Sequence, residues 1–199
     1  DKLIFDKLKN FIKPDTIILD LGANFGQMSI LWSQSKPNVK VYAFEASNYI
    51  FNILKKNIHI NSANVEAINA LVGNESNKEQ LIEESYLKEY STYGSHKINK
   101  TQDTNKEKIY KIKAIKIDDI NFEKRVSVMK IDVQGYDLDA LKGSKKTILK
   151  HKMPIIFEYE EKFEKEFNYT FKDFENFINE INYKIETKID EINYLIVPK

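Results

Sequence analysis

The sequence alternates short β-branched apolar runs with longer amphipathic stretches, and this alternation constrains the fold more than any other feature. The apolar runs are Ile17 to Leu21, Val39 to Phe44, Val65 to Val72, Val126 to Ile131 and Ile155 to Phe157. The stretches with helical spacing are Gln27 to Ser35, Tyr49 to Ile60, Leu138 to Leu149 and Phe171 to Ile181. Such an order is typical of βαβ units in a parallel sheet. Two more strands, Tyr183 to Ile189 and Ile192 to Val197, are predicted to close the chain. We therefore predict an α/β fold with a doubly wound, mostly parallel sheet.

Length and composition exclude several classes of protein. The 199 residues fit a single domain over 1–199, and no apolar run approaches the ~20 residues of a membrane span, so we expect a soluble, cytoplasmic protein. The absence of cysteine excludes disulfides, thiolate zinc sites and Cys nucleophiles. With 31 basic and 30 acidic residues, strong nonspecific binding to nucleic acid is not expected. The chain begins at Asp1 without a Met, which leaves open that it is a fragment of a longer protein.

A polar insertion of about 74–104 interrupts the alternation of apolar runs and helices. Long insertions in compact domains are usually functional lids or mobile loops. A half-exposed strand is predicted to follow it, over Lys108 to Ile117. From Lys97 to Lys116, seven lysines stand against Asp103 and Glu107. This stretch is either a solvated face or a patch that attracts an anionic substrate.

The loop Asp20-Leu21-Gly22-Ala23-Asn24-Phe25-Gly26 joins the first predicted strand to the first helix. In a doubly wound sheet such a turn lies at the carboxyl edge, where ligands bind. Gly22 and Gly26 allow the backbone to approach a ligand closely, and Asn24 tolerates a positive φ. The spacing does not fit the dinucleotide pattern G-x-G-x-x-G, because Gln27 stands where its last glycine belongs.

Two acidic residues at strand ends indicate the kind of cofactor. Asp20 would repel the pyrophosphate of a dinucleotide but would favour the ammonium and sulfonium of S-adenosylmethionine. Glu45 ends the second predicted strand, where an acidic residue can accept hydrogen bonds from ribose hydroxyls. Either residue alone has a plainer interpretation, a turn aspartate for Asp20 and a helix-starting charge beside Ser47 for Glu45. Together they predict an adenosyl cofactor without phosphates.

Three segments of the sequence resemble the FkbM family of S-adenosylmethionine-dependent methyltransferases, over roughly Thr16 to Val197. They are Asp20-x-Gly22-Ala23-Asn24-x-Gly26, Phe44-Glu45-Ala46, and the most specific one, Lys130-Ile131-Asp132-Val133-Gln134-Gly135-Tyr136-Asp137-Leu138-Asp139-Ala140-Leu141-Lys142-Gly143. The family usually has K-I-D-V-E-G-x-E there, so Gln134 replaces a common Glu and Asp137 a longer acid.

The resemblance implies a Rossmann-like, seven-stranded sheet whose last strand is antiparallel. It also implies methyl transfer to oxygen, on a hydroxyl of a sugar, a glycan or another small molecule. Asn69, at the end of the third predicted strand, is then placed to contact the adenine edge, with a turn asparagine as the alternative. The predicted cofactor-binding residues are Asp20, Gly22, Ala23, Asn24, Gly26, Glu45, Ala46, Asn69 and Asp132.

Three residues are candidate general bases: Asp132, Glu158 and His96. Asp132 and Glu158 follow apolar strands and therefore lie at the carboxyl edge, whereas His96 lies in the polar insertion. The alternative for Asp132 is a structural carboxylate bound to the amides of Gly135 and Tyr136, and the alternative for Glu158 is a solvated helix start. Asp132 with Glu158 is a weak metal signature, so no metal is predicted.

Other functions remain open from the sequence alone. A nucleic-acid methyltransferase is supported only by the lysine-rich stretch, and no N-P-P-Y element follows the fourth apolar run. Gln134 and the missing N-terminal Met leave room for a cofactor-binding domain without catalysis, and a dinucleotide oxidoreductase is more distant still. The sequence does not determine the oligomeric state.

Overall fold

The computed structural model describes residues 2–84, 96–98 and 109–199, in which strands and helices alternate along most of the chain. The strands are β1 (Ile17–Leu21), β2 (Lys40–Glu45), β3 (Val65–Asn69), β4 (Leu71–Val72), β5 (Glu79–Glu84), β6 (His96–Ile98), β7 (Ile109–Ile115), β8 (Val126–Ile131), β9 (Ile155–Glu158), β10 (Tyr183–Lys188) and β11 (Asn193–Pro198). The helices are α1 (Lys2–Leu8), α2 (Gln27–Ser33), α3 (Asn48–Ile60), α4 (Asp137–Gly143), α5 (Lys145–His151), α6 (Glu164–Phe167) and α7 (Phe171–Glu180).

Seven strands form the main sheet, in the order β3-β2-β1-β8-β9-β11-β10. The pairs from β3 to β9 are parallel, and β11 lies antiparallel between β9 and β10. The prediction of a doubly wound sheet whose last strand is antiparallel is therefore confirmed. The strand order reverses between β1 and β8, so the carboxyl ends of these two strands flank the crevice where such sheets bind ligands.

The centre of the sheet is fully buried because helices cover both of its faces. Every residue of β1 and of β8 is buried, including the polar Asp20 and Lys130. On one face, Phe174, Phe177 and Ile178 of α7 pack against the sheet, as their helical spacing predicts. On the other face, α1 and α2 contribute to a second apolar cluster around Trp32. The sequence analysis did not predict α1.

A second sheet of four strands, in the order β4-β7-β5-β6, includes part of the polar insertion. The half-exposed strand predicted over Lys108 to Ile117 is confirmed over Ile109–Ile115, which is β7; Lys108 lies outside the described residues, and Ile117 begins a 3-10 helix. The expectation of a loop fails at Glu79–Glu84, which is β5 and pairs antiparallel with β7. The strand is stabilised by cross-strand partners such as Lys111 and Glu79, 2.8 Å apart, and polar pairs of this kind leave no apolar alternation in the sequence. The remainder of the insertion, at 85–95 and 99–104, lies outside the described residues.

Two predicted elements are each divided in the structure. The apolar run Val65 to Val72 separates into β3 and β4, which belong to different sheets. The helix predicted over Leu138 to Leu149 separates into α4 and α5, with Ser144 between them. The junction is fixed by close packing, because a Cβ at Gly143 would lie 2.0 Å from the carbonyl oxygen of Gly73. No helix among the described residues has the length and apolar character needed to cross a membrane.

Candidate cofactor-binding and catalytic site

The register of the parallel strands brings the acidic strand ends together. Leu21 of β1 pairs with Phe44 of β2 and with Ile131 of β8, and Ile131 pairs in turn with Phe157 of β9. The acids that end or follow these strands consequently lie along one edge of the sheet. They are Asp20, Glu45, Asp132 and Glu158.

The first loop follows a tight path beside this edge. Gly22, Asn24 and Gly26 all have a positive φ, between 51° and 83°, as the glycine and asparagine pattern predicts. The amides of Gly22 and Ala23 both donate to the carbonyl oxygen of Phe44, at 2.9 and 2.8 Å. A Cβ on Gly22 would lie 1.8 Å from the carbonyl oxygen of Asp132, so glycine is required there by the neighbouring backbone.

Glu45 ties the first loop to the start of α3. Its buried carboxylate accepts hydrogen bonds from the amides of Asn24, at 2.9 Å, and Ser47, at 2.8 Å. Burial raises the pKa of Glu45 to about 7, although these two amides favour its ionised form. The position beside Ser47 agrees with the helix-start interpretation, but the bond to Asn24 also places the carboxylate at the loop. Glu45 therefore orders the predicted cofactor loop from its own strand end.

Asp20 lies beneath the loop, with a residue exposure of 1%. Its Oδ2 accepts a 2.5 Å hydrogen bond from the hydroxyl of Ser29 on α2, and its Oδ1 lies 3.9 Å from Nζ of Lys130. Burial raises the pKa of Asp20, and the Lys130 ammonium opposes this shift. Asp20 is therefore buried, and it contributes negative charge to the site without being exposed there itself. Ser29, one helical turn past Gly26, was missed by the sequence analysis.

The carboxylate of Asp132 is more accessible than that of Asp20, with 28% of its side chain exposed. Its Oδ2 accepts from Nζ of Lys130 at 3.0 Å, and its Oδ1 accepts from Nε2 of Gln134 at 3.2 Å. The alternative in which Asp132 binds the amides of Gly135 and Tyr136 is wrong. It is Asp137 whose carboxylate accepts the amide of Gly135, together with that of Glu158 at 3.2 Å.

Glu158 ends β9 beside Asp132, so it is not a solvated helix start. Its half-buried carboxyl group lies next to that of Asp132, because the preceding residues, Ile131 and Phe157, are paired in the register of β8 and β9. Burial, together with the negative charges of Asp132 and Asp137, raises the pKa of Glu158 to about 9. The two candidate bases therefore lie side by side, and the charge of each affects the ionisation of the other.

Lys130 is the central cation of the site, and the sequence analysis gave it no role. Only 4% of the residue is exposed, and its ammonium lies between Asp20 and Asp132. A buried ammonium is stable only when carboxylates or other acceptors replace its water. One feature of the sequence could have indicated this role. Lys130 is a charged residue inside the otherwise apolar run of β8, where both faces of the sheet are covered.

The remaining predicted residues lie around this centre. Asn69, at the end of β3, donates to the carbonyl oxygens of Glu45 and Ala46, at 2.9 and 3.3 Å, which fixes the end of β2. Ala46 also accepts a hydrogen bond from the Tyr110 hydroxyl, and Ala23 packs in a small cluster with Ala43 and Leu54. His96 belongs to β6, and its side chain lies outside the described residues.

Aromatic rings cover the loop that follows Asp132. A Cβ on Gly135 would lie 2.5 Å from the ring of Phe167 and 2.9 Å from that of Phe163. The rings of Tyr136 and Phe167 meet edge to face, with centroids 5.0 Å apart. Phe163 and Phe167 thus pack over the Asp132 loop, while Phe174 and Phe177 of α7 belong to the core.

The family follows from the sequence of these same strands and loops. A model of the methyltransferase FkbM domain matches residues 20–185, from the first acidic strand end to β10. The chain belongs to the FkbM methyltransferase family. The resemblance stated from the three motifs is confirmed.

Individual relatives and solved structures are similar to the chain at low sequence identity. Methyltransferase 1 of Beauveria bassiana (strain ARSEF 2860) is 24% identical over 145 residues, with 65% of this chain and 58% of that protein covered. The FkbM methyltransferase of Methylobacillus flagellatus KT superposes with a TM-score of 0.60 at 18% identity, over 93% of this chain and 44% of its own. A SAM-dependent methyltransferase of Geobacter sulfurreducens, solved with S-adenosyl-L-homocysteine, has a TM-score of 0.50 at 11% identity, over 94% and 64%.

The fold of this FkbM domain is thus that of S-adenosylmethionine-dependent methyltransferases. The chain spans 58% of the Beauveria bassiana protein and 44% of the Methylobacillus flagellatus protein, so about half the length of each.

The side chains at the sheet edge fit a cationic cofactor. Four carboxyl groups gather there, and Lys130 is the cation that the described contacts place among them. Since Lys130 is already paired, it is not available to a phosphate, whereas a sulfonium or an ammonium would offset the surplus of negative charge. Among the described residues, no three His, Cys, Asp or Glu side chains are grouped so as to hold a metal ion.

Proposed function

We propose that this FkbM-family domain transfers a methyl group from S-adenosylmethionine to a hydroxyl group of a sugar, a glycan or another small molecule. The observation that carries the proposal is the accessible Asp132 carboxylate, which lies at the switch point of the sheet beside a glycine loop and three further acids. When bound, S-adenosylmethionine supplies a methyl group on a positively charged sulfur.

The cofactor would be held by the residues that line the carboxyl edge of β1, β2 and β3. Each oxygen of Glu45 already accepts one amide and has a lone pair left for a ribose hydroxyl. Gly22 and Gly26 keep the loop backbone free of side chains, and Asp20 contributes negative charge from beneath it. Asn69 holds the end of β2 in place through its two carbonyl contacts, beside the position proposed for the adenine.

Asp132 is the proposed general base. A neutral hydroxyl is a poor nucleophile, and its proton becomes strongly acidic as the new bond to carbon forms, so a weakly basic carboxylate in the correct position is sufficient. The hydrogen bonds from Lys130 and Gln134 fix the orientation of Asp132, which favours the proximity that methyl transfer requires. Gln134 therefore supports the ionised Asp132, although the family more often has Glu at that position.

Calorimetry with S-adenosylhomocysteine tests the cofactor site. We expect the unmodified chain to bind it and Glu45→Ala to bind at least about tenfold more weakly. In this variant the Asn24 amide loses its acceptor in the loop, and the ribose loses a hydrogen-bond acceptor. Glu66→Gln is the matched control, since Glu66 is exposed on β3 and pairs with Lys40 away from the edge. Absence of binding, or equal affinities for all three proteins, contradicts the assignment.

Transfer of a labelled methyl group tests the acceptor class. The chain is incubated with methyl-labelled S-adenosylmethionine and, separately, with oligosaccharides, with small hydroxylated metabolites and with RNA. We expect label in acid-stable methyl ethers of the first or second class, and loss of transfer in Asp132→Asn with cofactor binding retained. Label in RNA bases, or on nitrogen, contradicts the proposal of a hydroxyl acceptor.

A further inference from the structure

Lys130 occupies an asymmetric position among the buried acids. Its Nζ is 3.0 Å from Oδ2 of Asp132 and 3.9 Å from Oδ1 of Asp20, and that Oδ1 has no hydrogen-bond partner among the described residues. The ammonium thus forms its direct hydrogen bond with Asp132. Asp20 receives only the longer ionic contact and a hydroxyl from Ser29.

The two members of the Asp132–Glu158 pair have different surroundings. Both oxygens of Asp132 accept hydrogen bonds from fixed donors, Lys130 on one side and Gln134 on the other. The carboxyl group of Glu158 instead faces the acids Asp132 and Asp137, and its own backbone amide is used by Asp137. Two neighbouring carboxyl groups at the ends of paired, buried strands hold one proton between them at neutral pH, since ionisation of both brings like charges together.

We propose that Lys130 is a positioning residue that decides where this proton resides. Its ammonium keeps Asp132 as the carboxylate, so that Glu158 carries the proton and donates it to Asp132 as a hydrogen bond. If the proton is on Glu158, Asp132 is the general base and Glu158 is not. This consequence for catalysis rests on the proposed function. The protonation pattern itself is a property of the unliganded chain.

The remaining charged groups near the pair favour the same distribution. Asp20 from β1, Glu45 from β2 and Asp137 from α4 all face it with carboxyl groups, and Lys130 is the cation that they share. Burial opposes ionisation of Asp132, yet the Lys130 ammonium holds the pKa of Asp132 below its usual range. The pKa of Glu158 is shifted in the opposite direction, upwards, as expected for the protonated partner of a carboxylate.

Carbon-13 NMR of the side-chain carboxyl groups tests the proposal on the unliganded chain. The protein is labelled at the Asp and Glu carboxyl carbons, titrated from pH 4 to pH 10, and assigned with Asp132→Asn and Glu158→Gln. In the unmodified chain we expect the Asp132 signal to remain that of a carboxylate throughout, and the Glu158 signal to change above pH 7. In Lys130→Met we expect the midpoint of Asp132 to rise by more than about one pH unit, because the ammonium that favours its ionised form is lost.

Lys130→Arg is the matched control, because it retains the positive charge on a side chain of similar length. It should restore the separation of the two midpoints, which a merely structural role of Lys130 would not predict. The proposal is overturned if Lys130→Met leaves both midpoints unchanged, or if Glu158 of the unmodified chain titrates near its ordinary value. If Lys130→Met does not fold, Glu158→Gln decides, since the transition above pH 7 must then disappear; its persistence overturns the proposal.

The same samples separate this inference from the proposed function. S-adenosylhomocysteine is added to each at the end of the titration. Absence of binding contradicts the methyltransferase proposal and leaves the measured protonation pattern intact. Binding together with unchanged midpoints in Lys130→Met overturns only the role of Lys130.

Discussion

The most constrained single residue of the site is Gly22. Its φ is positive, and a Cβ at this position would lie 1.8 Å from the Asp132 carbonyl oxygen, so glycine is required for two independent reasons. The loop and the strand end that follows β8 therefore fit together through backbone atoms alone.

Gly22→Ala is expected to lower the free energy of unfolding by more than about 2 kcal/mol, because the strained φ and the backbone clash add. Gly26→Ala should cost roughly half as much, since its Cβ would meet the flexible end of the Leu54 side chain at 2.4 Å. Gly73→Ala is the control, with an ordinary contact of 3.7 Å to Tyr136. Urea unfolding measures all three. An equal loss for Gly22 and Gly73 would disprove the clash at Asp132.

Asp137 provides a pH-dependent prediction at the residue scale. Burial, with the charge of Asp132, raises the pKa of Asp137 to about 7 in the folded chain. The folded state then binds more protons than the unfolded state between about pH 4 and pH 7, so this residue makes stability fall as the pH rises through that window. In Asp137→Asn the free energy of unfolding should decrease less as the pH rises, as measured by urea unfolding at pH 4 to 8.

Two further variants define that experiment. Asp137→Ala leaves the amides of Gly135 and Glu158 without their acceptor and should cost about 2–4 kcal/mol in the free energy of unfolding. Asp6→Asn is the control, because its pKa is lowered by the hydrogen bond from Lys9 and it titrates below the window. A slope for Asp137→Asn identical to that of the unmodified chain would show that Asp137 is ionised throughout.

At the scale of elements, the α4–α5 junction shows tertiary packing overriding helix propensity. Leu138 to Leu149 has continuous helical spacing, yet the structure contains two helices of seven residues each. Gly143 packs directly on the carbonyl oxygen of Gly73, just after β4. The sequence contains the glycine but not its neighbour, 70 positions away, which is why the division could not be predicted.

Gly143→Ala is expected to destabilise the fold by about 2 kcal/mol or more, although alanine is normally the better helix former by about 1 kcal/mol. The reason is the 2.0 Å approach of its Cβ to a backbone oxygen that cannot move without displacing β4. Lys142→Ala, exposed and adjacent, is the control and should change stability by less than about 0.5 kcal/mol. Thermal unfolding checks both, and a stabilised Gly143→Ala would refute the packing argument.

The strand ends show the opposite relation, because the sequence located them well. β1 and β8 have the predicted bounds, and Glu45, Asp132 and Glu158, which follow the apolar runs, lie at the carboxyl edge. Buried parallel strands are continuous apolar runs, so the first polar residue after each run marks the edge of the sheet. The short polar strand β5 lacks this signal, since cross-strand pairs stabilise it instead.

At the scale of the whole molecule, the charge is segregated although the sum is only +1. Carboxyl groups from four strands and α4 converge on one edge, where Lys130 is their paired cation among the described residues. An edge with this charge selects among nucleotide cofactors by electrostatics before any specific contact forms.

Thermal shift measurements test that selection. At a concentration of 100 times its Kd, S-adenosylhomocysteine should stabilise the chain by about 2.7 kcal/mol and raise Tm by roughly 5–10 °C. NAD⁺ at the same concentration should leave Tm unchanged, because its pyrophosphate would lie at the first loop, beside the carboxyl group of Asp20. A shift with NAD⁺ and none with S-adenosylhomocysteine would refute the electrostatic argument.

The sequence by itself determined the seven strands of the main sheet in chain order, the acidic strand ends, the glycine loop and the family. These features are local, because each depends on periodicity, on backbone preference or on a contiguous motif. Only the tertiary structure decided which groups meet: Ser29 with Asp20, Asn24 with Glu45, and Lys130 with Asp132. Those contacts depend on the register between strands that are distant in the chain. The ionisation of each acid is set by the neighbours that this register provides.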